Sequence, residues 1–215
     1  MQGFFYIWLM LKNLLLVFFL LYGCRVAAQL PKIVSECTVE YSITFNNVDT
    51  AVKQNKSTRI LYIKGKQARV DFISNNFTQV IIADNTDTTA LILKQVGNEK
   101  YMTVLDGPRW KQMNQRFLGI TITPGIETKK ILGYECKKFI AHLNDGSSFT
   151  LFCATGLKPS TPDNVFQLAN LPGLVLEYES EHGNIKMKYT ARQINFDPVP
   201  ASKFEIPKKG YKMLD

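Results

Sequence analysis

The chain has 215 residues, of which 46% are hydrophobic and 20% are charged, and its formal net charge is +8. This length suits one domain of ordinary size, which can bury a core without metals or many disulfides. The basic residues are dispersed along polar strand positions instead of forming one stripe with exposed aromatics, which argues against a nucleic-acid-binding protein.

The N-terminus has the three parts of a secretory signal peptide. Lys12 precedes an unbroken apolar run from Leu14 to Tyr22, and the small residues Val26-Ala27-Ala28 follow. We expect residues 1–28 to be cleaved off, because a basic start, an apolar helix and small residues are what the export machinery recognises. The mature domain is then 29–215, with 24 basic residues against 18 acidic ones and a net charge of +6. Its predicted location is periplasmic or secreted.

Two other fates of this N-terminal segment stay open. It can remain as a membrane anchor, since Phe4 to Tyr22 approaches the ~20 apolar residues that span a bilayer, although Lys12 interrupts the run. It can also be lipidated, because Leu21-Tyr22-Gly23-Cys24 resembles the bacterial lipoprotein box, apart from the bulky Tyr22. Cys24 would then begin an outer-membrane lipoprotein.

The mature chain is dominated by alternation with a period of two residues, which is typical of strands with one wet face. The first such strand has apolar residues at Cys37, Val39, Tyr41, Ile43 and Phe45. Further strands, separated by turn signals, are predicted at Arg59 to Ile63, Gln67 to Ile73, Phe77 to Ala83, Ala90 to Lys94, Lys100 to Leu105, Tyr134 to Leu143, Ser148 to Ala154 and Leu174 to Glu179. Strands every ten residues or so indicate a meander. We therefore predict a mainly β (α+β) fold, a curved antiparallel sheet of about ten strands.

Two irregular segments interrupt this alternation, Arg109 to Phe117 and Ser160 to Gly173. The first lacks any period of two and follows a Gly-Pro pair, which favours a short helix or a covering loop. In the second, Thr161 is expected to cap a turn. The side chains expected to face inward there are Val165, Phe166 and Leu168. Two such segments would cover one face of the sheet.

The hairpin between Glu177 and Lys188 is predicted in register. A turn at His182-Gly183 sets Glu177 opposite Lys188 and Glu179 opposite Lys186, so that opposite charges pair on one face. The apolar pairs on the other face are then Leu176 with Tyr189 and Tyr178 with Met187.

A second hairpin contains two of the cysteines and turns at Asn144-Asp145-Gly146. Centring the turn between Asn144 and Asp145 puts Cys136 opposite Cys153, close enough for a disulfide in a non-hydrogen-bonded pair. The oxidising environment of an exported protein preserves such bonds, so we predict a Cys136–Cys153 disulfide. Cys37 is then left over, either as a buried inert thiol or as a partner in intermolecular pairing.

Three short motifs carry a resemblance to a known family: Ile131 to Lys138 (ILGYECKK), Leu171 to Glu177 (LPGLVLE) and Phe204 to Lys212 (FEIPKKGYK). The chain resembles the GLPGLI family of exported bacterial proteins of unknown function, although Asn170 and Val175 replace the first glycine and the final isoleucine of the name motif. Proteins of this type are similar in architecture to periplasmic lipoprotein carriers, whose sheet curls into a half-barrel around acyl chains. The resemblance implies a half-barrel-like fold and brings no catalytic residues.

The segment Leu171-Pro172-Gly173 also has a purely conformational interpretation. Pro172 fixes its own φ and Gly173 permits a positive φ, so the segment is expected to form a type II turn that launches the next strand. The functional alternative is that this turn forms the rim of a ligand groove.

Motifs for catalysis and for metal binding are absent from the sequence. It has two histidines, His142 and His182, and no HExxH, CxxC, P-loop or GxSxG pattern. We therefore predict no enzymatic activity, no metal and no cofactor. A hydrolase with an unrecognised site is the remaining catalytic alternative.

The function that these features favour is a binding or carrier protein for an apolar or amphipathic, lipid-like ligand in the cell envelope. Aromatic residues at alternating strand positions would line its groove: Tyr41, Phe45, Tyr62, Phe72 and Tyr101. The same residues could equally form a filled core. The alternative is then a structural or envelope protein-interaction module without a small ligand, and a basic face that meets an anionic membrane surface is compatible with either.

Overall fold

The structure is a computed structural model that describes residues 30–46, 57–162, 170–182 and 185–214. The predicted signal peptide with Cys24, and the inward-facing residues predicted at 165–168, lie outside the described residues. Pro31 to Asp215 form one compact unit. No helix within the described ranges is both long and apolar enough to cross a membrane.

The described residues form fourteen strands and one α-helix. The strands are β1 (Lys32–Val34), β2 (Glu36–Asn46), β3 (Thr58–Lys64), β4 (Gln67–Ile73), β5 (Phe77–Asp84), β6 (Thr89–Val96), β7 (Glu99–Leu105), β8 (Thr121–Ile131), β9 (Tyr134–His142), β10 (Ser148–Ala154), β11 (Leu157–Pro159), β12 (Leu174–His182), β13 (Ile185–Asn195) and β14 (Lys212–Met213). The helix α1 (Gly107–Met113) lies between β7 and β8 and is followed by a 3₁₀ turn, Gln115–Phe117. A second 3₁₀ turn is Ala201–Phe204.

Twelve of the strands form one sheet in the order β14-β7-β6-β5-β4-β3-β2-β13-β12-β10-β9-β8. Its strand pairs are antiparallel except for the parallel pair of β14 with β7. The sheet is curved and does not close into a barrel. The remaining strands, β1 and β11, form a small parallel sheet. The predicted mainly β, half-barrel-like fold is therefore confirmed.

The strand register defines two faces of the large sheet, since side chains alternate along each strand. One row across neighbouring strands, which we call the front face, contains Tyr41, Arg59, Phe72, Gln79, Lys94 and Tyr101. The opposite row, which we call the back face, contains Thr38, Tyr62, Arg69, Ile82, Leu91 and Val104. Each face is covered by a different part of the chain.

The front face over β6 and β7 is covered by α1. Asp106 caps this helix, because its carboxylate accepts a hydrogen bond from the Arg109 amide at 2.9 Å, and Pro108 occupies the first turn. The buried Trp110 packs from the helix onto the apolar side chains Ala90, Ile92 and Leu105. The helix predicted at 109–117 is thus present, although it begins two residues earlier and changes to a 3₁₀ turn.

The back face over β5 to β7 is covered by the C-terminal segment 199–214. Phe204 and Tyr211 pack against the buried side chains Val80, Ile82, Leu91 and Leu93. The backbone of Val199 is anchored to the sheet: its amide donates to Glu36 Oε2 at 2.7 Å, and its carbonyl accepts from Lys64 Nζ at 2.9 Å. This packing explains the aromatic residues of the terminal motif without any ligand.

The register of the β9–β10 hairpin differs from the predicted one by a single residue. Leu143 and Ser147 close the turn with a 2.9 Å hydrogen bond, and Gly146 has a φ of 80°. The turn therefore contains three residues, with the glycine in the left-handed region that such loops require. Cys136 consequently pairs with Ala154, and Cys153 pairs with Lys137.

The predicted disulfide is wrong for this reason. A one-residue slip moves every side chain of a strand to the other face, so Cys136 and Cys153 belong to different core clusters. Cys136, Cys153 and Cys37 are buried free thiols. Cys37 lies at 0% exposure on the front face, as its buried-thiol interpretation requires.

The β12–β13 hairpin is shifted by two residues from its predicted register. Glu177 pairs with Thr190, and Glu179 pairs with Lys188. Because the shift is even, each side chain keeps its predicted face. Glu177 still binds Lys188, now along the diagonal, with 2.9 Å between Nζ and Oε1.

Candidate functional site: an apolar pocket on the front face

A pocket of about 210 Å³ lies where β2 and β3 meet the segments on either side of 163–169. The strands contribute Tyr41, Leu61 and Ile63 from the front face. The covering segments contribute Lys158, Pro159, Ser160, Thr161, Pro162, Leu171 and Gly173, and strand β12 contributes Leu174, Val175 and Tyr178. The lining is therefore mainly apolar, with a few polar groups, as in small-molecule sites.

Two tyrosines form the wall of the pocket on the side of β12. Tyr41 is only 1% exposed, and its hydroxyl donates a 2.8 Å hydrogen bond to the carbonyl of Val175. The ring of Tyr178 meets that of Tyr41 edge-on, with 6.3 Å between centroids, and stacks on Tyr189 at 4.5 Å. The satisfied hydroxyl and the ring contacts hold this wall in one geometry.

A buried cation lies directly behind this wall. The Arg59 guanidinium carbon is 4.8 Å from the centroid of the Tyr41 ring and 5.4 Å from that of Tyr178. Arg59 itself is 6% exposed. Burial raises the pKa of Tyr189, and the nearby Arg59 charge opposes part of that rise. The positive charge thus stabilises the aromatic wall through cation–π contact.

Hydrogen bonds fasten the covering segment to the turns of the sheet. The Ser160 hydroxyl donates to the carbonyl of Gly65 at 2.6 Å, and the buried Thr161 hydroxyl accepts from Asn85 Nδ2 at 2.5 Å. The Ser160 amide also donates to the carbonyl of Val34 at 2.8 Å. The wall formed by 158–162 is therefore tied to β1 and to two turns.

Gly173 fixes the other covering segment through close backbone contact, and not through the positive φ predicted for it. A methyl group at this position would lie 2.7 Å from the carbonyl carbon of Ala154 and 2.8 Å from Cα of Thr155. The predicted type II turn at Gly173 is wrong in this respect. The residue has no side chain because β12 enters the sheet in direct contact with the end of β10.

The five predicted groove residues do not form one lining. Four of them share the front face: Tyr41, Phe45, Phe72 and Tyr101. Among these, Tyr41 lines the pocket, and the other three are half-buried elsewhere on that face. Tyr62 lies on the back face beside Lys203, whose ammonium is 4.8 Å from the ring centroid. Parts of the predicted covering segment Ser160 to Gly173 line the pocket, including the turn named as a possible groove rim. The lining residues that sequence reasoning missed are Leu61, Ile63, Lys158, Pro159, Leu174, Val175 and Tyr178.

A cluster of opposite charges connects the three strands β8, β12 and β13. The Glu177 carboxylate, 8% exposed, binds Lys129 Nζ at 2.5 Å and Lys188 Nζ at 2.9 Å, and it accepts from the Thr190 hydroxyl at 3.1 Å. Burial alone would raise the pKa of Glu177, but the two ammonium groups outweigh it and hold that pKa below its usual value. Lys129 also lies over the Phe152 ring at 3.7 Å.

The described residues contain no group of three His, Cys, Asp or Glu side chains that could hold a metal ion. Burial raises the pKa of Cys37 to about 12 and also raises that of Cys153. Such thiols stay protonated at neutral pH and are poor nucleophiles. The arrangement suits binding of an apolar group.

Comparison with known proteins gives similarity at the level of the fold. No family model and no curated protein matches the chain. Among solved structures, the chain is similar to PNGF-II in its C2 crystal form, with a TM-score of 0.50 and 16% identity over 84% of this chain and 31% of PNGF-II. For the P21 form, the TM-score is 0.51 and the identity 14%, over 84% and 32% of the two chains. The chain thus spans about a third of PNGF-II.

A third solved structure, MucB, has a TM-score of 0.40 and 11% identity, over 81% of this chain and 58% of MucB. At these identities the similarity to PNGF-II shows that the β-rich architecture occurs elsewhere. It says nothing of a shared ligand or reaction.

Proposed function

We propose that this protein is an exported, non-enzymatic binding or carrier protein for a small apolar or amphipathic ligand. The observation that carries the proposal is the pocket between the front face and the segments 158–162 and 171–175. Its walls are held by the Tyr41 hydrogen bond and by the contacts of Ser160 and Thr161, so the site is preformed. A preformed apolar cavity does not have to rearrange when a ligand binds, so no binding free energy is lost in ordering the site.

The volume of the pocket limits the size of the ligand that it can hold. Its volume of about 210 Å³ exceeds that of the ~150 Å³ engineered cavity that holds benzene. It falls below the ~300–1,000 Å³ typical of sites for drug-sized ligands. We therefore expect one short acyl chain or one ring, rather than a folded multi-chain lipid, to occupy it.

Export is the second part of the proposal and rests on the N-terminal sequence. Lys12, the apolar run to Tyr22 and the small residues before Gln29 support cleavage, and the resemblance to exported GLPGLI proteins agrees with it. Intact-mass measurement of protein from the native cell envelope tests this. A chain that begins at Gln29 supports cleavage, and one that begins at a lipidated Cys24 establishes the lipoprotein instead.

A fluorescent fatty-acid probe tests the binding function. Leu171→Trp enlarges a half-buried side chain that lines the pocket, and it should weaken probe binding at least tenfold by filling the space. Val104→Trp, at a 47% exposed position on the back face, is the matched control and should bind like the wild type. Tyr41→Asp is unsuitable, because a charge at a 1% exposed position would unfold the protein.

The outcome also decides between this function and a protein-interaction module. If the wild type binds no probe, and native mass spectrometry of envelope-extracted protein finds no lipid-like mass, the carrier proposal fails. The edge strand β8 then becomes the main candidate for a protein-binding surface. It pairs on one side with β9 and carries the fully exposed Ile126. Unpaired edges of this kind accept strands from other proteins.

A further inference from the structure

Among the described residues that line the pocket, one carries a charge. Lys158 lines the pocket and is exposed, whereas the other lining residues are apolar or uncharged. Within the described ranges, no carboxylate lies within ion-pair distance of the Lys158 ammonium. A cation at the opening of an apolar cavity is complementary to a ligand with an apolar tail and a negative head.

The position of Lys158 follows from the short strand β11. Its neighbour Leu157 is 4% exposed and packs into the core. Because successive side chains of a strand point to opposite sides, Lys158 points away from the core. The parallel pairing of β11 with β1 fixes this orientation, with Ile33 opposite Lys158. Lys158 is therefore held by the paired backbone of β11 at the edge of the pocket.

The neighbouring hydroxyl groups are already engaged. Ser160 donates to the carbonyl of Gly65, and Thr161 accepts from Asn85. These bonds hold the covering segment in place, and Lys158 is the charged group among the described lining residues. Lys158 would then select a ligand by its charge, and the apolar lining of the pocket would select it by its shape.

We infer that the ligand is a single-chain amphiphile with an anionic head group, a carboxylate or a phosphate monoester, held at Lys158 while its chain occupies the pocket. This inference rests on the proposed binding function and adds the class of ligand to it. It makes binding depend on the charge of the head group, which a purely apolar pocket does not do.

The experiment compares ligands that differ in the head group alone. Isothermal titration at pH 7.5 measures octanoate, octyl phosphate and octan-1-ol against the wild type, Lys158→Gln and Lys158→Glu. An exposed ion pair is worth about a two- to fivefold change in affinity. Lys158→Gln should lower octanoate and octyl phosphate affinity by that factor, and Lys158→Glu by roughly tenfold, while octan-1-ol binding stays unchanged.

Lys32→Gln is the matched control. It removes the same charge from β1, the partner strand of β11, but its ammonium lies over the Phe196 ring, 4.6 Å from the centroid. The wild-type preference for anions should persist in this variant and shrink in 0.5 M salt, where screening shortens the range of the attraction. The two anions together show which head group the site prefers.

The possible results separate the two proposals. Anion affinity that falls in Lys158→Gln and not in Lys32→Gln supports the inference. If all three ligands bind and neither substitution changes their affinity ratio, or if Lys32→Gln has an equal effect, the anionic-head inference is overturned and the binding function stands. If none of the ligands binds the wild type, the proposed function fails along with it.

Discussion

Replacing Gly173 by alanine tests whether β12 enters the sheet in the close contact that the structure shows. The added methyl group would lie 2.7 Å from the Ala154 carbonyl carbon, 2.8 Å from Thr155 Cα and nearer still to the Ala154 carbonyl oxygen. All three atoms belong to the backbone. Side-chain rotation cannot relieve the overlap, so the backbone of β12 or that of β10 must move.

The expected cost follows from this geometry. Overpacking by one methyl group typically destabilises a protein by about 1–3 kcal/mol, and rigid backbone neighbours favour the upper part of that range. Alanine also lowers the conformational entropy of the unfolded chain, which stabilises the folded protein by about 0.4–1 kcal/mol and offsets part of this cost. We therefore expect Gly173→Ala to lower the free energy of unfolding by about 2 kcal/mol.

Gly156→Ala is the matched control for this experiment. An added methyl group at Gly156 meets no heavy atom within 4 Å, and its φ is not in the left-handed region. The entropic gain in the unfolded chain therefore applies without any clash. Gly156→Ala should be as stable as the wild type or slightly more stable.

Urea unfolding of the three proteins measures the difference. With a slope of about 2 kcal/mol per molar, typical of domains of this size, the Gly173→Ala midpoint should fall by about 1 M. The melting temperature should fall by about 4–8 °C. Equal midpoints for Gly173→Ala and Gly156→Ala would refute the close approach of β12 and β10, and with it this wall of the pocket.

Two further predictions concern the buried polar and thiol groups. Glu177→Gln should destabilise the protein by about 1–3 kcal/mol at pH 7, since it removes the charge that binds Lys129 and Lys188. The folded pKa of Glu177 lies below the ordinary 4.5, so its contribution to stability is complete above that pH and is lost as the pH falls through the folded pKa. The urea midpoints of the two proteins should therefore converge once the pH is below the folded pKa. Cys37 and Cys153 should resist thiol reagents at pH 8 until the protein unfolds, because burial raises their pKa values. Non-reducing peptide mapping that found Cys136 joined to Cys153 would contradict the β9–β10 register.

Strand positions were predictable because alternation is a local property. The predicted strands from Cys37 to Leu105 coincide with β2 to β7 to within a few residues. Strand β8 was not predicted, since Pro124-Gly125 breaks its alternation. The structure accommodates the break with a register shift between Pro124 and Thr128, at the edge of the sheet, where fewer hydrogen bonds are lost.

Neither predicted hairpin register matches the structure, because register depends on turn length, which the alternation of a strand does not determine. The β9–β10 turn has three residues instead of two, and this single difference moved Cys153 to the other face from the one predicted. The error in the β12–β13 hairpin was two residues, so Glu177 kept its face and its ion pair with Lys188. Pattern matching of charges and apolar residues determines which face a strand presents, but it leaves registers that differ by two residues indistinguishable.

The pocket itself depends on contacts that no local pattern contains. Tyr41 was predicted as a lining residue because of its place in an alternating strand, but Phe72 and Tyr101 satisfy the same pattern and lie elsewhere on the front face. The difference is what covers them, and that depends on where β11 and β12 place the segments around Lys158 and Gly173. An alternating strand therefore shows that a face is apolar, whereas the site is formed where a covering segment is held just above that face.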